Sequence, residues 1–147
     1  MMDDPFDDFV EQLQSEIDED TRQTFGEKVY QRWKNPRFLQ VVPDPHGYAK
    51  QTGTCGDSIE IYLKFEDDRV SEAGFQTDGC GPSLVCGSYA AQMAMGKTQA
   101  ELTEISGETI LAELGGLPEE NEHCAHLAAA ALQSALEDFI SRKHKNR

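Results

Sequence analysis

Between Ile59 and Phe65 the apolar pattern has a period of two. Ile59, Ile61, Leu63 and Phe65 alternate with Glu60, Tyr62 and Lys64. A strand buried on one face reads this way, and no helix does. Glu66-Asp67-Asp68-Arg69 supplies a turn, and Val70 to Thr77 supplies a second run. The short connection predicts an antiparallel hairpin. A weaker strand is predicted near Gly47–Gly53. The flanking sequence is helical in period, so the fold class is α+β: a small antiparallel sheet of about three strands packed by helices, with a helical C-terminal half.

The helical parts can be placed one by one. Phe6, Phe9, Val10, Leu13 and Ile17 predict an amphipathic helix over 5–17, with acids opposite. Its apolar stripe needs a cover, either a partner or, the simpler expectation, its own domain. A second helix is expected over about 22–33, stopped at Asn35-Pro36 because the residue before proline avoids helical angles. Residues 36–54 read mainly as loop. Pro82 suits a first helical position, and Gly96 suits a stop near Met95. Thr98 to Glu101 has the spacing of a capping box. Further helices are expected over 107–114, ended by Gly115-Gly116, and from about 122 to the basic tail at Arg142, Lys143, Lys145 and Arg147. Basic residues there complement the helix dipole.

A length of 147 residues fits one domain. No apolar run approaches the ~20 residues of a membrane span. The net charge of −14 argues against a nucleic-acid surface, which must meet phosphate with Lys and Arg. Nine of the 27 acids and none of the 13 bases fall in residues 1–20. This segment has neither a basic region nor an apolar region of a secretory signal, so the expected location is the cytoplasm.

The four cysteines are Cys55, Cys80, Cys86 and Cys124. Without a secretory signal, metal binding or catalysis is a better reading than disulfides. Three of them sit where loops enter regular structure. Cys55 ends a Gly-rich loop before a strand. Cys80, in Thr77-Asp78-Gly79-Cys80-Gly81-Pro82-Ser83, lies between a strand and a helix. Cys124 follows His123 in the first turn of the last helix. Rigid scaffolds hold functional loops at such junctions. Helix N-termini also favour the thiolate that binds metal or attacks sulfur. Cys86, beside Leu84 and Val85, reads as a core residue. Three thiols and an imidazole form a soft ligand set for zinc or an iron–sulfur cluster. The gaps of 24 and 43 residues, with no Cys-x-x-Cys pair, leave scattered cysteines as the open alternative.

The ordered motifs carry more. Thr54-Cys55-Gly56-Asp57, Phe75 to Ser83, Gly96-Lys97 and His123-Cys124, with Glu27-Lys28-Val29 and Asn35-Pro36-Arg37 ahead of them, resemble the IscU/NifU-type iron–sulfur cluster assembly scaffolds over about residues 23–143. The resemblance implies two parts: an acidic N-terminal helical extension at 1–22 and a scaffold (NifU N-terminal-like) domain at 23–147. It implies a carrier and not an enzyme. Such a carrier receives iron from an iron donor and persulfide sulfur from a cysteine desulfurase. It assembles a [2Fe–2S] cluster and passes it to acceptor apoproteins. Carried over by position, Cys55, Cys80 and Cys124 would be cluster thiolates. Asp57 would be the carboxylate ligand that keeps the cluster labile, and His123 the imidazole beside the third thiol. Cys124 would be the persulfide acceptor. On this reading the glycines around Cys80 clear space for a metal or cluster and free backbone N–H groups to bond sulfur.

The chain departs from the pattern. Where relatives that use a dedicated Hsp70-type chaperone carry Leu-Pro-Pro-Val-Lys, it reads Leu117-Pro118-Glu119-Glu120-Asn121. The second proline and the lysine are gone, and two acids, Glu119 and Glu120, stand in the stretch, which argues against that contact. Cys86 and the acidic helix at 1–22 are additions, and the helix leaves a homo-oligomer open. The alternative is a zinc-binding sulfur acceptor with sulfurtransferase-like activity. Those relatives carry a longer insertion before the third cysteine and usually lack the histidine, so the spacing here favours the scaffold branch.

Overall fold

The computed structural model describes residues 5–79 and 81–145. In chain order the elements are α1 (Pro5–Phe25), α2 (Glu27–Lys34), β1 (Gly47–Thr52), β2 (Ser58–Glu66), β3 (Arg69–Thr77), α3 (Pro82–Ala94), α4 (Gln99–Leu102), α5 (Gly107–Leu114) and α6 (Glu122–Lys145), with one 3-10 turn at Glu119–Asn121 before α6.

The strands form one antiparallel sheet in the order β1-β2-β3. The two-residue period has the expected result: Ile59, Ile61 and Leu63 are fully buried on one face. Asp67 and Asp68 close the hairpin at φ 54° and 66°. Two consecutive positive φ values match the twist of the flanking strands, and aspartate tolerates them better than most residues. The outer edge of β3 is covered. Gln40 N donates to Phe75 O and Phe75 N to Phe38 O, so the segment before β1 acts as a short parallel cover.

Helices α6 and α3 cover the buried face, α6 over β1 and β2 and α3 over β3. Alanines 125, 128, 129, 131 and 135 are buried along α6, and their small side chains let its backbone approach the sheet. The approach is closest at Gly47, where a Cβ would collide with the Ala135 carbonyl oxygen. At the far end, Gln133 Nε2 donates to Leu102 O and Ile105 O, tying α4 and the turn after it to α6. The predicted capping box at Thr98 is present, and Ser106 with Thr109 forms a second.

Two expectations need correction. The helix boundary falls at Gly26 (φ 91°), so α1 continues to Phe25 and α2 begins at Glu27. Nothing between Ile17 and Phe25 breaks a helix, whereas Gly26 adopts an angle L-residues avoid. The apolar stripe of α1 does not dock on the domain. Phe6, Phe9, Val10, Leu13 and Ile17 are 46–68% exposed. Instead α1 is held to α2 near its C-terminal end. Asp18 pairs with Lys34 at 3.6 Å, and Phe25 meets the Trp33 ring edge-on at 5.8 Å. Among the described residues, no helix is long and apolar enough to cross a membrane.

Candidate metal centre

The centre lies where the β1–β2 loop and the β3–α3 junction meet beneath the start of α6. Hydrogen bonds lace the two loops together. Asp78 Oδ1 accepts from Ser58 N at 2.6 Å, and Thr77 Oγ1 donates to Ser58 O at 2.7 Å. Gly79 N donates back to Thr77 Oγ1 at 3.0 Å, and the Thr52 and Ser58 hydroxyls meet at 2.8 Å. The β1–β2 loop closes on itself through Gly53 N to Asp57 O, 2.8 Å, and Gly56 N to Gly53 O, 3.0 Å. Asp57 is thus fixed at the loop's rigid end, just before β2, and Cys55 stands exposed at its tip.

Ser83, in the first turn of α3, connects the parts. It is 1% exposed. Its Oγ donates to Asp57 Oδ2 at 3.0 Å and lies 3.5 Å from Cys124 Sγ. Cys124 is buried in the first turn of α6, with His123 Nε2 3.7 Å from its sulfur. The structure therefore joins Asp57, Cys124 and His123 through Ser83. Cys80 lies outside the described residues. Among the described residues, no three His, Cys, Asp or Glu side chains stand close enough to hold a metal by themselves.

The glycines flanking Cys80 clear space for protein groups. A Cβ on Gly79 would meet Asp57 Oδ2 at 2.7 Å and Ser83 Cβ at 2.9 Å. Gly81 (φ 52°) leaves room for the Trp33 ring, which its Cβ would meet at 2.9 Å. On the Cβ side of each glycine stands a protein group, a carboxylate at Gly79 and an indole at Gly81.

Cys86 is fully buried in the core. Burial, and secondarily the neighbouring Cys124, pushes its thiol far above the ordinary range. A thiol held neutral in this way is a poor ligand and nucleophile. His126 packs onto Gly107 at the start of α5 and His46 Nδ1 accepts from Phe65 N, which leaves neither in the cluster of groups around Ser83. Sequence reasoning missed Ser83 and Asp78. Both stand in the Thr77–Ser83 stretch, but their partners are 20 or more residues away.

Comparison with known proteins gives the family. The family model described as NifU-like N terminal domain matches residues 24–146. The chain is 36% identical over 122 residues to iron-sulfur cluster assembly scaffold protein IscU 1 of Archaeoglobus fulgidus, covering 82% of this chain and 80% of that one. It is 32% identical over 123 residues to the scaffold protein IscU of Aquifex aeolicus, covering 81% and 78%. In fold it is similar to the N-terminal NifU-like protein of Brucella abortus, with a TM-score of 0.65 at 17% identity over 82% of this chain and 97% of that one. With most of its length matched, the chain belongs to the NifU-like N-terminal domain family.

Proposed function

We propose that this chain is a scaffold for assembly of iron–sulfur clusters, with Cys55, Cys80 and Cys124 as thiolate ligands, Asp57 as a weaker oxygen ligand and His123 as the adjacent imidazole. The observation that carries this reading is the joining of Asp57 and Cys124 through Ser83 at the junction of two loops, one of them bearing exposed Cys55. Three soft thiolates suit iron, and one hard ligand among them makes release easier than four thiolates would. The cluster is cargo, and the chain is a carrier.

Sulfur would come from a cysteine desulfurase. The Cys124 thiolate attacks the outer sulfur of the desulfurase persulfide. The sulfur–sulfur bond breaks, the desulfurase thiolate leaves, and Cys124 becomes the persulfide. Two such sulfurs need four electrons to become two sulfides. Oxidation of two ferrous ions to ferric supplies two, and an external thiol or electron-carrier protein supplies the others. Acceptor apoproteins, an iron donor and the desulfurase are the partners this chemistry requires.

Anaerobic reconstitution tests the reading: ferrous iron, cysteine, a thiol reductant and a cysteine desulfurase are mixed with the protein. Equal iron and acid-labile sulfide, with sulfide-to-iron charge-transfer bands, is the expected result. Tight zinc, accelerated desulfurase turnover and no cluster would overturn it in favour of a zinc-bound sulfur acceptor.

A further inference from the structure

The geometry points to Ser83 as the positioning residue for the Asp57 carboxylate, with Gly79 leaving the space in which that contact is made. This inference rests on the reading of Asp57 as the oxygen ligand of the scaffold. It adds what sets that ligand's orientation.

A serine in the first turn of a helix usually serves its own helix, capping a nearby N–H or bonding back to the preceding turn. Ser83 does neither. The N-cap of α3 is Gly81, with no side-chain cap. The Ser83 hydroxyl reaches across to the β1–β2 loop and donates to Asp57 Oδ2. It is 1% exposed, so water does not compete for that proton. The same oxygen lies 3.5 Å from Cys124 Sγ, so Ser83 sets the distance between the carboxylate and the buried thiol.

Gly79 is the second, independent observation. Its φ is not in the left-handed region, so backbone conformation does not call for glycine there. Space does. A Cβ would meet Asp57 Oδ2 at 2.7 Å, Asp57 Cγ at 2.9 Å and Ser83 Cβ at 2.9 Å. The three atoms are the two halves of the one contact. The β1–β2 loop is thereby pinned at Asp57 while Cys55, two residues earlier, stays exposed. One ligand of the loop is held in place, and the other is free to engage and leave.

The probe is cobalt(II), whose visible bands report ligand identity and geometry without iron, sulfide or a desulfurase. Asp57→Ala is expected to change the band pattern and weaken binding. Ser83→Ala should reproduce that change and weaken binding about 10- to 100-fold, as loss of a ligand-orienting group does. The Asp57→Ala/Ser83→Ala double variant should match Asp57→Ala alone, because Ser83 acts through that carboxylate. Ser83→Thr, which keeps the hydroxyl, should restore the original spectrum. If Ser83→Ala does not fold, Gly79→Ala takes its place, since it displaces the same carboxylate and leaves the hydroxyl intact. An unchanged spectrum in Ser83→Ala beside a changed one in Asp57→Ala would overturn the inference and leave the scaffold reading standing. No cobalt binding by the unaltered protein, or no effect of Asp57→Ala, would overturn both.

Discussion

Phe75 rests on the bare backbone of Gly87. A Cβ built at Gly87 would meet Phe75 Cδ2 at 2.5 Å and Cε2 at 2.9 Å, and the ring is fully buried. This contact sets how closely α3 lies on β3, and hence where the start of α3 carries Ser83. Gly87→Ala gains helix propensity but forces a methyl into ring atoms that cannot move. The net effect should be a loss of about 1–3 kcal/mol, the usual range for overpacking. Denaturant unfolding measures it, and a more stable variant would mean that the ring has somewhere to go.

The exposed stripe of α1 leads to the opposite expectation. Phe9 and Leu13 are 62% and 46% exposed. Replacing both with serine should shift unfolding by no more than roughly 0.5 kcal/mol per site, as for other surface positions. A loss of several kcal/mol in a dilute, monomeric sample would show that the stripe is buried on its own domain after all.

These two cases mark the limit of what the sequence made legible. The period of two at Ile59–Phe65 announced both the sheet and its buried face, because side-chain direction in a strand follows from the backbone alone. The capping box at Thr98 was equally legible, since cap and partner are three residues apart. The stripe on α1 showed that an apolar face exists, but periodicity carries no information on what covers it. Around the candidate metal centre, the junction positions of Cys55 and Cys124 were legible from the sequence. The reason for Gly79 was not, because it lies in Asp57 and Ser83, which only the packing of the β1–β2 loop on α3 brings together.

The thiols should separate by reactivity. Brief treatment of the native, metal-free protein with iodoacetamide at pH 8 should label exposed Cys55 and spare Cys86, as read by peptide mass spectrometry. Cys86 is enclosed, and burial raises its folded-state pKa above the ordinary 9.0. The unfolded chain therefore loses this proton first. The stabilisation from keeping the thiol neutral is complete below about pH 9 and is lost as pH climbs toward the folded value. Labelling of Cys86 as fast as Cys55 would contradict its place in the core.

Cluster assembly should separate the thiols a second time. Cys80→Ser should abolish a stable cluster, because it removes a proposed thiolate ligand. Cys86→Ala should leave reconstituted iron and sulfide close to those of the unaltered protein, with only the stability loss of a small core cavity. Equal loss of cluster in both variants would make Cys86 a participant in sulfur handling.

The lifetime of the assembled cluster is where Asp57 should count most. A carboxylate is a harder and more exchangeable ligand than a thiolate, and here Ser83 links it to Cys124, the proposed entry point for sulfur. Removing it by Asp57→Ala should close a route by which acceptors and solvent displace the cluster. The variant should hold its cluster longer under chelator challenge. The decay of visible absorbance after adding a ferrous chelator gives the rate. Faster decay in Asp57→Ala would make the carboxylate a retaining ligand, and lability would then have to come from exposed Cys55 at the tip of its loop.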